Sequence, residues 1–263
     1  MSDITDQAAK HNRYAWNSFR RQRDEGLVKY RRDPAANILQ GKSYLGPEMI
    51  ALVGDVSGKH LLDMGCGDGA EMLEWARLGA VVVGVDNSPR QLEAAQRNAD
   101  KLGLSCRLIL ADLLRLPDEL LTGQFDIVFS SFVTAWIGDL GRWFCNVFLA
   151  LKPGGIFLLS GGHPVSKFVQ EMEEGESYRD SYFSEGSFII KESDEAHSWN
   201  PARDFLTTVE WCYTLGSIVT AVAQSGLRIS HLVELLHSED EMDHGYKRLP
   251  CFFILRAVKD VRV

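Results

Sequence analysis

A glycine-rich turn followed by an aspartate is the pattern in this chain that is best suited to binding a ligand. Gly65, Gly67 and Gly69 give the backbone the freedom that a sharp turn needs, and they leave room for a ligand. Asp86 follows about twenty residues later, at the end of a valine-rich run that is typical of a buried strand. A carboxylate there can accept hydrogen bonds from ribose hydroxyls. The pattern predicts a nucleoside-binding strand–helix–strand unit.

Two classes of cofactor bind to such a unit, and the glycines alone do not distinguish them. Gly65, Gly67 and Ala70 satisfy the dinucleotide fingerprint G-x-G-x-x-G/A, so NAD is one candidate. A dinucleotide places its pyrophosphate at this turn, where Asp63 and Asp68 would repel it. The same carboxylates would attract an ammonium group. S-adenosylmethionine (SAM) carries an ammonium group and a sulfonium but no phosphate, and it is therefore the favoured candidate.

Alternating strand and helix patterns predict the elements that position this unit. Ser88 is a suitable N-cap for the helix after Asp86, Gln91 completes a capping box, and Gly103 ends the helix. Asp139 is the predicted cap of a later helix. Further strands are predicted at Cys106 to Leu110, Phe125 to Phe129, Ile156 to Ser160, Ser187 to Lys191, Thr207 to Cys212, Leu227 to Leu235 and Cys251 to Val258.

The strings LLDMGCGDG and VVVGVDNS resemble the first two motifs of class I SAM-dependent methyltransferases, and LKPGG before an apolar strand is a third resemblance. The resemblance covers residues 44–259. It implies an α/β fold, a three-layer sandwich around a mostly parallel seven-stranded sheet with an antiparallel last strand. It also implies SAM as the cofactor and methyl transfer to an oxygen, nitrogen or carbon atom of a small molecule, with aromatic and specialised metabolites as candidate substrates.

The resemblance also implies which residues contact the cofactor. Asp112 would accept a hydrogen bond from the adenine amine, and Leu113 would offer its backbone nitrogen to the ring. The alternative for Asp112 is that it only caps a loop turn. Ser88 and Gln91 have a structural role as caps, so their contacts with the cofactor are secondary predictions. The predicted cofactor-binding residues are Tyr14, Asp63, Gly65, Cys66, Gly67, Asp86, Asn87, Ser88, Gln91, Asp112, Leu113 and Ser130.

A histidine and several aromatic residues are the candidates for contact with the substrate. His163 follows the fifth strand and is the predicted general base, or else it only braces the turn before Pro164. Trp136 is a candidate pocket wall or the start of a helix core. The predicted substrate-binding residues are Trp16, Trp136, Tyr178 and Trp199. Serines, and not N/D-P-P-Y/F, follow the fourth strand, which argues against methylation of nucleic-acid amines.

The whole chain, residues 1–263, is predicted to form one methyltransferase domain. Residues 1–43 are interpreted as a helical lid, although an amphipathic helix with solvated arginines is an equal alternative. Residues 44–162 form the SAM-binding Rossmann-like core. Residues 163–206 are an acidic, aromatic insertion that is predicted to cover the substrate and to become ordered when ligands bind. Residues 207–263 are predicted to complete the sheet.

Composition limits the possible partners. The net charge of −8 and the pI near 5.4 argue against binding to nucleic acid, which requires a basic face. The five cysteines have no C-x-x-C spacing, so neither a metal site nor a disulfide framework is predicted. The absence of a membrane-length apolar run and of a signal peptide predicts a cytoplasmic protein without a membrane partner. An NAD-dependent oxidoreductase of Rossmann type and a non-catalytic SAM-binding regulator remain alternatives, and the oligomeric state is not predicted.

Overall fold

A seven-stranded sheet between two layers of helices forms the centre of the protein. The computed structural model describes residues 2–28, 33–173, 179–191, 206–236 and 249–261. The strands of this sheet are β1 (His60–Met64), β2 (Val81–Asp86), β3 (Arg107–Leu110), β4 (Phe125–Ser131), β5 (Leu151–Gly162), β8 (Arg228–Leu235) and β9 (Phe252–Val258). Their order is β3-β2-β1-β4-β5-β9-β8, and β9 runs antiparallel to both of its neighbours. The predicted fold class is confirmed.

Eight α-helices are described, and several begin at the residues that the sequence predicts. They are α1 (Ser2–Asp24), α2 (Pro34–Leu39), α3 (Pro47–Val53), α4 (Ala70–Arg77), α5 (Pro89–Leu102), α6 (Leu140–Ala150), α7 (Pro164–Glu173) and α8 (Leu215–Gln224). The hydroxyl of Ser88 accepts a hydrogen bond from the N–H of Gln91 at 3.2 Å, and Asp139 caps α6 in the same way at 2.9 Å. Within the described ranges, no helix combines the length and hydrophobicity that a bilayer span requires.

The core has two layers because successive side chains of the central strands point to opposite faces of the sheet. In β1, Leu62 packs on the face that α6 covers, whereas Leu61 packs on the face that α4 covers. Trp143 of α6 stacks on Phe144 in the first layer, with ring centroids 4.7 Å apart. Trp75 of α4 is fully buried in the second layer. These layers fix the strand ends relative to one another.

The C-terminal region needs one correction to the predicted organisation. Residues 207–263 do not all belong to the main sheet, because β7 (Thr207–Cys212) pairs with β6 (Gly186–Lys191) in a separate antiparallel hairpin. The sequence pattern of a short strand does not say which strand is its partner, so the boundary could not be placed from residue types. The hairpin lies against α1, which makes it part of the cover over the strand ends.

Candidate functional site

A cavity of about 290 Å³ lies at the carboxyl ends of β1 to β4, under one face of α1. Ligands of open α/β sheets bind at this edge, since the loops that follow parallel strands meet there. The cavity is lined by ten of the predicted site residues, namely Trp16, Gly65, Cys66, Gly67, Asp86, Asn87, Gln91, Asp112, Leu113 and Trp136. The structure therefore brings together most of the predicted cofactor residues and two of the predicted substrate residues.

The turn after β1 can be built only with glycine at its first position. Gly65 has φ +89°, a backbone conformation that residues with a side chain rarely adopt. A Cβ atom at Gly65 would lie 2.4 Å from Cγ2 of Val133, which follows β4. The N–H of Gly65 donates to the carbonyl of Val85 at 2.8 Å, so the turn is fixed to β2. The close approach leaves no room for a side chain between the turn and Val133.

Asp86 presents a buried carboxylate to the cavity. Its Oδ2 accepts a hydrogen bond from the N–H of Gly67 at 3.0 Å, and its Oδ1 accepts one from the N–H of Ser88 at 2.8 Å. Burial raises the pKa of Asp86, although both backbone hydrogen bonds favour the charged form. A carboxylate oxygen has two lone pairs, so each oxygen can accept one further hydrogen bond. A ribose presents two hydroxyls at such a position.

The cap of α5 shows which of its residues reaches the cavity. Ser88 is fully buried, and its hydroxyl donates to Oδ1 of Asn17 in α1 at 2.8 Å, so its role is structural. The backbone N–H of Gln91 donates to the hydroxyl of Ser88, but the side chain of Gln91 does not complete the predicted capping box. Its Oε1 atom is buried and has no hydrogen-bond partner, and the residue lines the cavity. An unpartnered buried acceptor at a cavity wall indicates a place for a ligand donor.

Asp63 and Ser130 lie behind the glycine turn and do not line the cavity. The hydroxyl of Ser130 donates to the carbonyl of Met64 at 2.7 Å, which joins β4 to β1. Burial, followed by the negative charges of Glu71 and Asp86, raises the pKa of Asp63 well above its usual range. Ser130 therefore helps to hold β4 against the end of β1, and direct contact of either residue with the cofactor stays a prediction.

We expect Asp63→Asn to raise the melting temperature of the ligand-free protein near neutral pH. Because folding raises the pKa of Asp63, ionisation favours the unfolded chain, and stability is lost as pH rises through the folded pKa. The amide has no charge to bury. Thermal melts should show the gain at about pH 8 and its disappearance below about pH 4, the ordinary range for aspartate. A pH-independent difference would contradict this, and Glu93→Gln on the exposed face of α5 is the control.

Asp112 caps a turn and also lines the cavity, while its contact with adenine stays a prediction. Its Oδ1 accepts a hydrogen bond from the N–H of Leu114 at 2.9 Å, so it does cap the turn after β3. It also lines the cavity. Asn146 of α6 donates to the carbonyl of Leu113 at 2.9 Å, and Arg142 donates to that of Leu114 at 2.6 Å. The segment is thus held rigidly where an adenine amine would need an acceptor.

One face of α1 forms the roof of the cavity. Trp16 meets Trp136 edge to face, with ring centroids 5.1 Å apart. Asn12 fixes the helix to the hairpin, because its amide donates to the carbonyl of Val209 at 2.6 Å and accepts from the N–H of Val209 at 2.8 Å. Tyr14 is 64% exposed and does not line the cavity. Two residues turn a helix by about 200°, so Tyr14 and Trp16 point to opposite sides.

The charges around the glycine turn differ from those that the sequence suggests. Asp68 already forms ion pairs within the protein, because its Oδ2 lies 3.3 Å from Nη1 of Arg20 and 3.9 Å from Nη1 of Arg23, both on α1. The sequence predicts a carboxylate available to a ligand there, because Arg20 and Arg23 are distant along the chain. Acidic side chains still outnumber basic ones along the described cavity walls, where Glu71, Asp86 and Asp112 accompany Asp68. A cationic ligand is favoured.

His163 lies outside the cavity wall, although it follows β5 as predicted. Its Nε2 is 2.9 Å from Oε1 of Glu234, and its Nδ1 accepts a hydrogen bond from the N–H of Val165 at 3.2 Å. Burial lowers the pKa of His163, and Glu234 partly opposes that effect. Both ring nitrogens therefore face protein groups. This geometry matches the alternative role of bracing the turn before α7.

The residues after β4 line the cavity and were only partly predicted. Phe132 has φ +55°, which is unusual for a residue with a side chain, and its N–H donates to the carbonyl of Ser160 at 3.0 Å. Its ring is 54% exposed and meets Phe252 edge to face. Backbone strain of this kind is common at ligand sites. The sequence feature that pointed to this segment was its position directly after a central strand, β4.

Parts of the predicted substrate cover lie outside the described residues. Tyr178 and Trp199 belong to these parts, as do residues 174–178 and 192–205 of the insertion, so the predicted ordering of the insertion stays a prediction. The described parts of the insertion include α7 and β6. Within the described residues, no group of three or more potential metal ligands is present.

The chain is similar in sequence to a known family and to several known proteins. A family described as "Methyltransferase domain" matches residues 55–205. A sterol 4-C-methyltransferase of Caenorhabditis elegans is 33% identical over 38% of this chain and 30% of its own length. A ubiquinone biosynthesis O-methyltransferase of a Bradyrhizobium species is 29% identical over 73% of this chain and 70% of its own length.

Solved structures show the same fold. An S-adenosylmethionine-dependent methyltransferase from Mesorhizobium loti has 25% sequence identity, a TM-score of 0.59, and coverage of 81% of this chain and 96% of its own. The chain spans less than two thirds of the first curated relatives that it matches, since a Haemophilus influenzae protein is matched over 52% of its length and the sterol enzyme over 30%.

Proposed function

Since the chain belongs to the methyltransferase-domain family, whose members are SAM-dependent enzymes, we propose that it transfers the methyl group of SAM to a small, neutral or cationic molecule with a flat apolar part. The observation that carries the proposal is the joint placement of Asp86, Asp112 and the Trp16–Trp136 pair around one cavity. The family determines the cofactor. The residues that line the cavity indicate the chemical class of the acceptor molecule.

The residues present suit SAM. Asp86 has an acceptor site left on each oxygen for the ribose hydroxyls, and the buried Oε1 of Gln91 needs a donor. Asp112 would accept from the adenine amine. Gly65 leaves the backbone open beside the methionine part of the cofactor. When bound, SAM supplies a methyl group that its sulfonium activates toward a nucleophile.

The contribution of the chain is positioning and the exclusion of water. α1 covers the cavity and is fixed at both of its sides, to the hairpin through Asn12 and to α5 through Asn17. Holding the two reactants together in the reactive orientation can lower the activation free energy by about 7 to 11 kcal/mol relative to the reaction in free solution. No histidine or lysine lines the cavity in the described part of the chain. The arrangement supports catalysis by orientation of an already competent nucleophile.

The acceptor end of the cavity is lined by small and apolar groups. Thr5 and Ala9 of α1 face the segment after β4, where Ile137 and Gly138 lie. Trp136 provides a flat surface for an aromatic or other planar molecule. A sterol enzyme and a ubiquinone enzyme among the relatives act, by their names, on molecules with large apolar parts. This likeness supports the small-molecule class and leaves the acceptor atom open among oxygen, nitrogen and carbon.

The experiment is a screen for transfer from SAM that carries an isotopically labelled methyl group. Phenols, quinols, sterols, indoles and small amines are incubated with the protein, and products are identified by mass spectrometry. Label in a planar small molecule, with loss of transfer in Trp136→Ala, supports the proposal. Transfer to nucleic acid alone would contradict it. Tight SAM binding without transfer to any acceptor would instead support a SAM-binding regulator.

We expect His163→Ala to lower the melting temperature while single-turnover methyl transfer by the folded protein stays within about threefold of wild type. The ring is 5% exposed and packs edge to face on Phe253, so its removal leaves a cavity in the core. A loss of about a hundredfold or more in transfer, with unchanged SAM binding, would identify His163 as a general base. His231→Ala, on the exposed side of β8, is the control.

A further inference from the structure

A second cavity, of about 250 Å³, lies where the end of α1 meets α5 and the start of α2. Six charged residues line it, four basic and two acidic, namely Arg20, Arg23, Arg97, Lys101, Asp24 and Asp33. Among the described residues, only Arg23 also lines the first cavity. An excess of basic groups in a concave site is unexpected in a chain with a net charge of −8, and it indicates an anionic ligand.

Arg20 brings a buried donor to this cavity. The residue is 6% exposed, and its guanidinium lies 3.3 Å from Oδ2 of Asp68 through Nη1 and 2.6 Å from Oδ1 of Asp24 through Nη2. Its Nε atom is buried and has no hydrogen-bond partner. An unpaired buried donor costs free energy, and the cost is larger for a charged group. An acceptor oxygen supplied by a ligand of the cavity would remove that cost.

α5 contributes two further cations to the cavity wall. Arg97 and Lys101 are four residues apart, so they lie on the same face of the helix. Nη2 of Arg97 lies 3.0 Å from Oδ2 of Asp24, and Nζ of Lys101 lies 3.4 Å from Oδ2 of Asp33. Both basic side chains are more than half exposed, so these ion pairs are weak and leave N–H groups available to an entering anion.

The carboxylates of the protein do not balance these cations. Asp24 and Asp33 lie within the cavity wall, and Asp68 approaches Arg20 although it lines the first cavity instead. Three carboxylates therefore face four basic groups. A phosphate group brings up to two negative charges and three acceptor oxygens, and the planar fork of arginine matches it with two parallel hydrogen bonds.

We propose that this second cavity binds a phosphate group, either inorganic phosphate or the terminal phosphate of a small metabolite, and that the bound group joins the end of α1 to α5. The cations come from both helices, so one anion can bond to both of them. The volume of the cavity leaves room for an organic part attached to the phosphate. The site lies outside the first cavity, so this inference does not depend on the proposed methyl transfer.

Calorimetric titration of the full chain with inorganic phosphate and with glycerol 3-phosphate, in chloride buffer at constant ionic strength, tests this inference. Wild type should bind one equivalent of at least one of these ligands, with a Kd of about 1 mM or lower. Arg97→Gln should weaken that binding about tenfold, through loss of one charge-assisted pair. Arg107→Gln is the matched control, because Arg107 is similarly exposed, lies 2.5 Å from Glu119 and is outside the cavity. Asp24→Asn should tighten binding about threefold or more, since it removes a competing carboxylate.

The possible outcomes separate a phosphate site from a structural cluster of ion pairs. Tighter binding of glycerol 3-phosphate assigns the site to a phosphomonoester, whereas equal or weaker binding of it assigns the site to free phosphate. The absence of saturable binding, or equal weakening by Arg97→Gln and Arg107→Gln, would overturn the inference. Unchanged or weaker binding by Asp24→Asn would do the same. Thermal melts establish that each variant is folded, and phosphate should raise the melting temperature of wild type more than that of Arg97→Gln.

Discussion

Asp86→Ala is expected to lower the affinity for SAM by about a hundredfold or more while the protein remains folded. The substitution removes two acceptors for ribose hydroxyls, and a hydrogen bond to a charged group contributes about 1.5 to 3 kcal/mol. It also frees the N–H groups of Gly67 and Ser88, which the carboxylate holds at 3.0 and 2.8 Å. Calorimetric titration with SAM measures the change directly.

Two control variants test whether the β1–α4–β2 unit presents Asp86 to the ribose. Asp86→Asn keeps one acceptor oxygen and the shape of the side chain, so its loss of affinity should be intermediate. Glu93→Ala removes an exposed carboxylate from the same region and should change nothing. Unchanged SAM binding by Asp86→Ala would mean that the β1–α4–β2 unit does not hold the ribose as described.

Gly65→Ala is expected to destabilise the protein strongly and to abolish measurable SAM binding. The new methyl group would lie 2.4 Å from Cγ2 of Val133, far inside the distance of any normal contact. In addition, φ of +89° costs a residue with a side chain about 1 to 2 kcal/mol. Thermal melts and calorimetry on the variant report both effects.

A second substitution separates the collision from the backbone strain. Val133→Ala removes the methyl group that collides, so the double variant Gly65→Ala/Val133→Ala should recover part of the melting temperature. Gly103→Ala is the matched control, because Gly103 has φ +65° at the end of α5 and no atom lies near its Cβ position. A Gly65→Ala variant that is no less stable than Gly103→Ala would contradict the close packing of the turn.

Local signals were sufficient to predict the centre of the fold. The β1–α4–β2 unit was predicted because glycines, periodic apolar residues and a terminal acid all lie within one short stretch. Ser88 and Asp139 were recognised as caps because a cap and the N–H that it accepts from are only three residues apart. Each of these interactions is encoded by neighbouring residues, so a single sequence contains the necessary information.

Interactions between distant parts of the chain could not be predicted in this way. Residue types do not reveal that β7 pairs with β6 outside the main sheet, or that Asn12 and not Tyr14 faces inward. His163 lies outside the described cavity wall for a related reason. β5 continues two residues beyond its predicted end, where Gly162 pairs with Phe252 of β9, and this extension carries His163 past the cavity. The partner strand determines where β5 stops.

The contact between Asn12 and Val209 has a consequence for how the chain matures during synthesis. The two residues are 197 positions apart, so the roof of the cavity cannot be secured until β7 has left the ribosome. Until then α1 can contact α5 and Trp136 but lacks its contact with the hairpin, in a nascent chain that grows at about 5 to 20 residues per second. α1 is therefore synthesised well before the strand that completes its docking, and the ligand site acquires its full roof only after β7 has emerged.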